Sequence, residues 1–298
     1  MDTFKSLFKI DEALLLIDNQ ALIYLGLAIV MLWIGKKVND LCTPYKLDVQ
    51  LTTKDNKAIA VSFSGYLFAI GIIVWSVLNQ ASVTEAEDPG YALLQDLGSS
   101  AIWILVGILL LQVARIVNDK FLLSKFRNVK ELVEDQNIGT GAVQAGSFIG
   151  SAFMIQAATY GEGQGNLVVD LLLALLYFAL AQVAFIFFAI IYQKTTSYDL
   201  HDEIEKNNAA AGVGFGLTLV AVGSLLSSYL IKNDSLIGLA LWFVIGVFLL
   251  TVCRYAVDKL ILPGHALDDE ISKDKNWGAA LIEGSAAIAI ALVLSSIF

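Results

Sequence analysis

The sequence predicts an all-α integral membrane protein with eight transmembrane helices, built as four two-helix repeats in two parallel-duplicated halves. Three observations carry this. Of 298 residues, 57% are hydrophobic and only 16% charged, against about 25% charged in a soluble domain. Eight uncharged apolar runs reach the roughly 17–25 residues that cross about 30 Å of hydrocarbon as helix. The second run of each successive pair also begins alike.

The runs cover 19–35, 58–79, 97–114, 138–159, 171–193, 209–231, 235–253 and 277–298. All but one of the 47 charged residues, and all three prolines, fall between them. Hydrocarbon penalises charge and unpaired backbone, so helix is the expected spanning form. The first run is read as a helix and not a cleaved signal peptide, because it follows Asp11, Glu12 and Asp18 and carries no A-x-A site. Loops 36–57, 115–137, 194–208 and 254–276 hold 16 of the 19 Lys and Arg residues; Lys5, Lys9 and Lys232 are the others. The positive-inside rule puts those loops in the cytoplasm and both termini outside.

The even segments open DNKAIAVSFSG (Asp55–Gly65), DQNIGTGAVQAG (Asp135–Gly146), EKNNAAAGVGFG (Glu205–Gly216) and DKNWGAALIEGS (Asp274–Ser285). Each has an acid, then Asn56, Asn137, Asn207 or Asn276, then small residues. The odd segments are expected to start at Asp18, Asp96, Asp170 and Asp234. The third and seventh end VARIVNDKFL and VCRYAVDKLIL, aligning Arg115 with Arg254 and Asp119 with Asp258. Two helices per repeat keep every repeat in one orientation, which disfavours an inverted-repeat fold. The halves are placed at 1–162 and 163–298.

NKAIAVSFSG, NNAAAGVGFG and NWGAALIEGS, with the arginines ending segments 3 and 7, resemble the YjfL-like family of small bacterial inner-membrane proteins, built around a domain of unknown function. The typical member looks like one four-helix half, so the resemblance covers nearly the whole chain, twice over. It implies a bacterial inner-membrane location and no catalytic residues. Through some relatives it implies a link to envelope-stress and polyamine-related genes.

Segment 4 is rich in small residues, including Gly146 and Gly150; Gly212 with Gly216, and Ala280 with Gly284, repeat the spacing. Small residues let membrane helices approach closely. The odd segments carry bulk instead: Trp33, Trp103, Tyr177, Phe185, Phe187, Phe188, Trp242 and Phe243. Even helices are therefore expected inside and odd ones against lipid. Packing alone accounts for the small residues; a passage or groove between the halves is the second reading.

Glu283 is the one charged residue deep in a segment, seven past Asn276, and Gln144 holds the same offset from Asn137. Under a twofold the two would face each other, as a solute or proton site. A carboxylate there must be protonated or paired with a donor. Asn56, Asn137, Asn207 and Asn276 read first as helix caps, and second, with Arg115 and Arg254, as a cytoplasmic mouth able to bind cations. Arg115 and Arg254 suit the negative helix ends and snorkel toward headgroups, with Asp119 and Asp258 one turn on as candidate partners. His201 with Asp202 and Glu203, and His265 with Asp268, Asp269 and Glu270, are too few histidines for a metal assignment. Cys42 and Cys253 form no CxxC.

No Ser-His-Asp grouping, phosphate loop or HExxH is legible, so no enzyme and no cofactor is expected. Nucleic acid is not expected either, because the basic loops carry 16 acids against their 16 bases. The net charge of -9 resolves into an outer face of -8, from 3 bases and 11 acids, plus Glu283. An acidic face raises local cation concentration. The expected function is a channel or carrier for a small cation, polyamines included, or another solute, passing between the small-residue helices. The alternative is a non-transporting scaffold or signalling component of an envelope-stress assembly, binding a cytoplasmic protein. Association into a homo-oligomer stays open.

Overall fold

The computed structural model describes residues 19–80, 89–161, 163, 165–233 and 235–297. It is all-helical among these residues, with eight helices long and apolar enough to cross a membrane. They are α1 (Asn19–Cys42), α2 (Lys57–Asn79), α3 (Pro89–Val117), α5 (Ile138–Ala158), α6 (Leu167–Thr195), α8 (Ala209–Lys232), α9 (Leu236–Ala256) and α11 (Trp277–Ile297). Short helices α4 (Asn128–Val133), α7 (Leu200–Glu205) and α10 (Leu267–Ser272) lie in the basic loops. The odd segments run further as helix than their apolar stretches, because charged side chains such as Asp96 and Arg254 find partners without leaving the helix. π turns at Asn118–Leu122 and Val257–Ile261 extend α3 and α9, each closed by an i+5 bond, Leu123 N–H to Asn118 and Leu262 N–H to Val257.

The even segments form a row: α2 packs on α5, α5 on α8 and α8 on α11. The odd segments lie against it, α3 over α2 and α5, α6 over α5 and α8, α9 over α8 and α11. Within the most apolar stretches, 83% of α8 is buried but only 28% of α11. Segment 8 is therefore not an inner helix. A row has ends, and α11 is one of them. The odd segments do present Trp33 and Phe187 outward, yet Phe185, Phe188 and Trp242 are buried in the core. Trp242 turns inward because its indole N–H donates to the Leu225 carbonyl at 3.0 Å.

Glycine lets the row close. A Cβ on Gly146 would overlap the Gly216 carbonyl, and one on Gly212 the Gly139 backbone. At Gly150 it would sit 2.7 Å from the Leu219 carbonyl, and at Gly284 it would meet the Leu217 side chain. The small residues thus bring backbones together and leave no room for a passage at these contacts.

Each even segment begins with the same device. Asn56 Oδ1 accepts from Ile59 N–H (3.1 Å), Asn137 from Thr140 (3.3 Å), Asn208 from Ala210 (3.1 Å) and Asn276 from Ala279 (3.2 Å). The residue before each cap has positive φ: Asp55, Gln136, Asn207 and Lys275. Asn207 is therefore not the cap of α8. It is the left-handed residue before it, a conformation asparagine tolerates. Two adjacent asparagines put the sequence reading one residue out of register. The caps also staple the repeats. Asn56 Nδ2 donates to Gln50 and to the Leu132 carbonyl of the next unit. Asn137 repeats this with Glu131 and Ile204, and Asn208 with Glu203 and Ile271. Asn276 donates to Glu270.

Asn208→Ala is expected to cost about 1–3 kcal/mol, for a lost cap and buried acceptors left unmade. Asn207→Gly is expected to be neutral or slightly stabilising. Thermal melts in detergent check both, and equal losses would contradict the shifted register.

On the opposite face, the starts differ from those expected. α6 is capped by Asn166, which accepts from Val168 and Val169, with Asp170 in the first turn beyond it. α9 is capped by Ser235. Asp96 lies inside α3, where it accepts a hydrogen bond from the Tyr24 hydroxyl of α1. Asp18, Asp234, Lys5 and Lys9 lie outside the described residues.

Candidate functional site

Glu283 stands two turns into α11, its side chain 1% exposed. The seven-residue offset from the cap turns it away from the row's open end, toward α8 and the ends of α6 and α9. Arg254 Nε donates to Oε1 at 2.6 Å and the Tyr192 hydroxyl to the same oxygen at 3.2 Å. Among the described residues Oε2 has no hydrogen-bond partner. It faces Gly214, where a Cβ would stand 3.1 Å away. The buried carboxylate is thus paired, as burial demands.

Arg254 is fully committed. Nη2 donates to Asp268 Oδ1 at 2.6 Å, Nη1 to the Thr195 carbonyl at 3.3 Å, and the guanidinium lies 5.5 Å from the Tyr192 ring centroid. It does not snorkel, because two carboxylates hold it inward. Asp258 is not its partner: that carboxylate takes the Leu267 N–H (2.7 Å) and Lys259 (2.8 Å). Arg254, with Thr195 and Thr251, lines two spaces. On the Glu283 side is a cavity of about 20 Å³, lined by Phe188, Tyr192, Thr218, Leu250 and Glu283, room for one water. The other, a cleft of about 370 Å³, opens between Thr195, Thr251, Tyr255, Asp258 and Asp268.

Gln144 lies in a separate cluster. Its Nε2 donates to Asp119 at 3.3 Å, and Ser62 donates to its Oε1 at 2.5 Å. Asn128 reaches Asp119 at 3.1 Å. Gln144 and Glu283 do not face each other, because α8 stands between their helices in the row. Arg115 Nη2 donates to the Cys42 carbonyl at 2.5 Å. Three of the cap asparagines, Asn56, Asn137 and Asn208, are buried and spend their amides on the staples, while Asn276 is exposed and lines an open groove. Of the residues singled out, the structure brings together Arg254, Glu283 and Asp268. Sequence reasoning missed Tyr192 and Thr195, since nothing in the QKTTS end of α6 marks them. It placed Asp268 only in an acidic run.

His201 lies in the loop helix α7. Its Nε2 donates to the Leu122 carbonyl at 2.9 Å, and among the described residues no three His, Cys, Asp or Glu side chains gather to hold an ion. Burial pushes its pKa below the ordinary value. The fold therefore holds it neutral, and the unfolded chain takes up a proton first as pH falls. Stability contributed by this contact is present above about pH 6.5 and lost below it. The melting temperature is expected to fall more between about pH 7 and pH 5.5 than that of His201→Gln, measured in parallel melts.

The family described as Domain of Unknown Function (DUF350) matches residues 11–159 and again residues 166–298. The chain belongs to this family. It carries the DUF350 domain twice in tandem. It is similar to a UPF0719 transmembrane protein of Aquifex aeolicus, 27% identical over 176 residues, covering 57% of this chain and 63% of that one. It is also similar to the UPF0719 transmembrane protein YshE of Bacillus subtilis, 22% identical over 120 residues, 40% of this chain and 88% of that one. The chain thus spans less than two thirds of the Aquifex relative. No solved structure matches it. The Arg254–Glu283 pair belongs to the second DUF350 copy; the first has the Gln144–Asp119 cluster in its place.

Proposed function

We propose that this DUF350 protein moves a proton or small cation, polyamines included, across the bacterial inner membrane through its second half. The carrying observation is a buried carboxylate, Glu283, held by a guanidinium that lines both a one-water cavity and an open cleft. An intramembrane acid is a functional candidate by its cost alone. Arg254 is then a tethered competitor: a cation entering the cleft meets Asp258 and Asp268 and exchanges with the guanidinium at Glu283. The route runs among α6, α8, α9 and α11, not between the small-residue faces. The positive-inside rule places the cleft on the cytoplasmic side and the termini outside. The reading is of a non-enzyme, with Glu283 as acceptor and no catalytic residue.

Flux in proteoliposomes tests it, with a proton-sensitive dye and a panel of sodium, potassium and spermidine. The unaltered chain is expected to carry flux and Glu283→Gln to lose at least about tenfold of it, the scale of removing a charged contact. Equal flux from the two would sink the assignment. A second reading, a non-transporting scaffold, is favoured by the closed packing at Gly146 and Gly216. It accords with the YjfL-like resemblance and its envelope-stress link. Absent flux from every cation, with a cytoplasmic protein recovered on the basic loops, would establish it.

A further inference from the structure

The row of even segments has two unlike ends, and they match. Positions are counted here from each capping asparagine. The ninth residue of one segment meets the eighth of the next at all three internal interfaces: Gly65 on Ala145, Gly146 on Gly216, Leu217 on Gly284. The second meets the fourth at two of them, Ala58 on Gly141 and Gly139 on Gly212. Gly150 on Gly223 pairs the thirteenth with the fifteenth.

At the last segment, the second, ninth and thirteenth positions are Gly278, Ser285 and Ala289; the latter two are exposed. At the first, the fourth, eighth and fifteenth are Ala60, Ser64 and Gly71. Ser64 and Gly71 are exposed, and a Cβ on Gly71 would meet nothing within 4 Å. Both open faces are small at the register positions, beside bulky exposed neighbours such as Phe68, Trp75, Leu281 and Leu292.

The staples end in the same way. Asn56, Asn137 and Asn208 each give their amide to a carbonyl of the following unit; among the described residues the Asn276 amide has Glu270 alone. The counterpart of Leu132, Ile204 and Ile271 in the first unit is Leu51. Beside Asn276 a groove of about 530 Å³ lies open, lined by Ile261, Leu262, His265, Glu270 and Gly278. In the second unit, α7 fills the matching place: His201 bonds the Leu122 carbonyl and packs edge-on to Phe126. The counterpart of α7 in the first unit is the helical turn Val49–Thr53.

We propose that copies of this chain associate head to tail in the membrane, α11 of one against α2 of the next. The Val49–Thr53 turn of the second copy fills the open groove of the first. Unlike faces meeting in this way build a ring or an array rather than a twofold dimer.

Cysteine cross-linking in native membranes tests it, in a Cys42→Ser, Cys253→Ser chain. Ser64→Cys and Ser285→Cys chains, differently tagged and co-expressed, are expected to form one mixed dimer on oxidation. A chain carrying both is expected to form a ladder, and neither alone a dimer. Ser64→Cys with the lipid-facing Phe248→Cys is the collision control. Cross-linking of either single variant with itself, equal yield from the control, or no cross-link in any pairing overturns the proposal. Particle mass in nanodiscs is the second readout. Gly71→Leu is expected to reduce a multimer to one chain without moving the melting temperature. A one-chain mass for the unaltered protein overturns it too.

Discussion

Arg254→Gln is expected to destabilise the protein by about 3–5 kcal/mol, the range for stranding one partner of a buried ion pair. Glu283 stays buried, with the Tyr192 hydroxyl at 3.2 Å in place of a full counter-charge. It must take up a proton or pull α11 from α9, and either costs most of what the guanidinium supplied. Glu283→Gln in the same chain is expected to restore about half of the loss or more, since both interior charges are then gone. An amide is tolerated at this offset, as Gln144 shows with donors and acceptors from Ser62 and Asp119. Arg115→Gln is the contrast. It loses a hydrogen bond to the Cys42 carbonyl and a longer-range attraction to Asp119, which keeps Asn128 and Gln144 as donors, so about 1 kcal/mol is expected. Melts of Arg254→Gln, Glu283→Gln, the double variant and Arg115→Gln in one detergent measure the cycle. Additive losses for Arg254 and Glu283 would show that the pair is not coupled.

Gly146→Leu or Gly216→Leu is expected to prevent folded protein from accumulating, with a cost of about 3 kcal/mol or more. A Cβ at Gly146 would overlap the Gly216 backbone, and one at Gly216 the Ala142 carbonyl. Backbone cannot rotate aside as a side chain can, so α5 and α8 would part along their length. That interface joins the two halves, and close approach of small residues is what holds membrane helices when lipid is as apolar as they are. Gly26→Leu and Gly98→Ala, with nothing within 4 Å of the added carbon, are expected to be neutral. Yield and monodispersity after detergent extraction decide it. Normal behaviour of Gly146→Leu would mean that the row is looser than its backbone contacts.

Much of the architecture was legible in the chain because hydrocarbon is an unforgiving solvent. Charged residues cannot sit in it unpaired, so 46 of 47 mark the boundaries of eight segments. Repeats were legible as Asn followed by small residues. The register at Asn207 was not, because adjacent asparagines look alike and only backbone conformation separates the left-handed residue from the cap. Glu283 was legible as the one interior charge. Its partners were not: Arg254 lies 29 residues away and Tyr192 lies 91 away, on other helices. Spacing along one helix pointed to Asp258, which serves the Leu267 N–H instead.

By itself, then, the sequence determined what is local and what solvent enforces: eight apolar helices, a duplicated domain and one carboxyl inside. Tertiary structure alone decided that the even segments form an open row, that Gln144 and Glu283 sit in separate clusters, and that Arg254 joins Glu283 and Asp268 beside both cavity and cleft. Composition and periodicity constrain each residue against its solvent and its own helix. Which helix stands beside which is settled by side-chain volumes and hydrogen bonds between residues far apart in the chain, and no single segment carries that information.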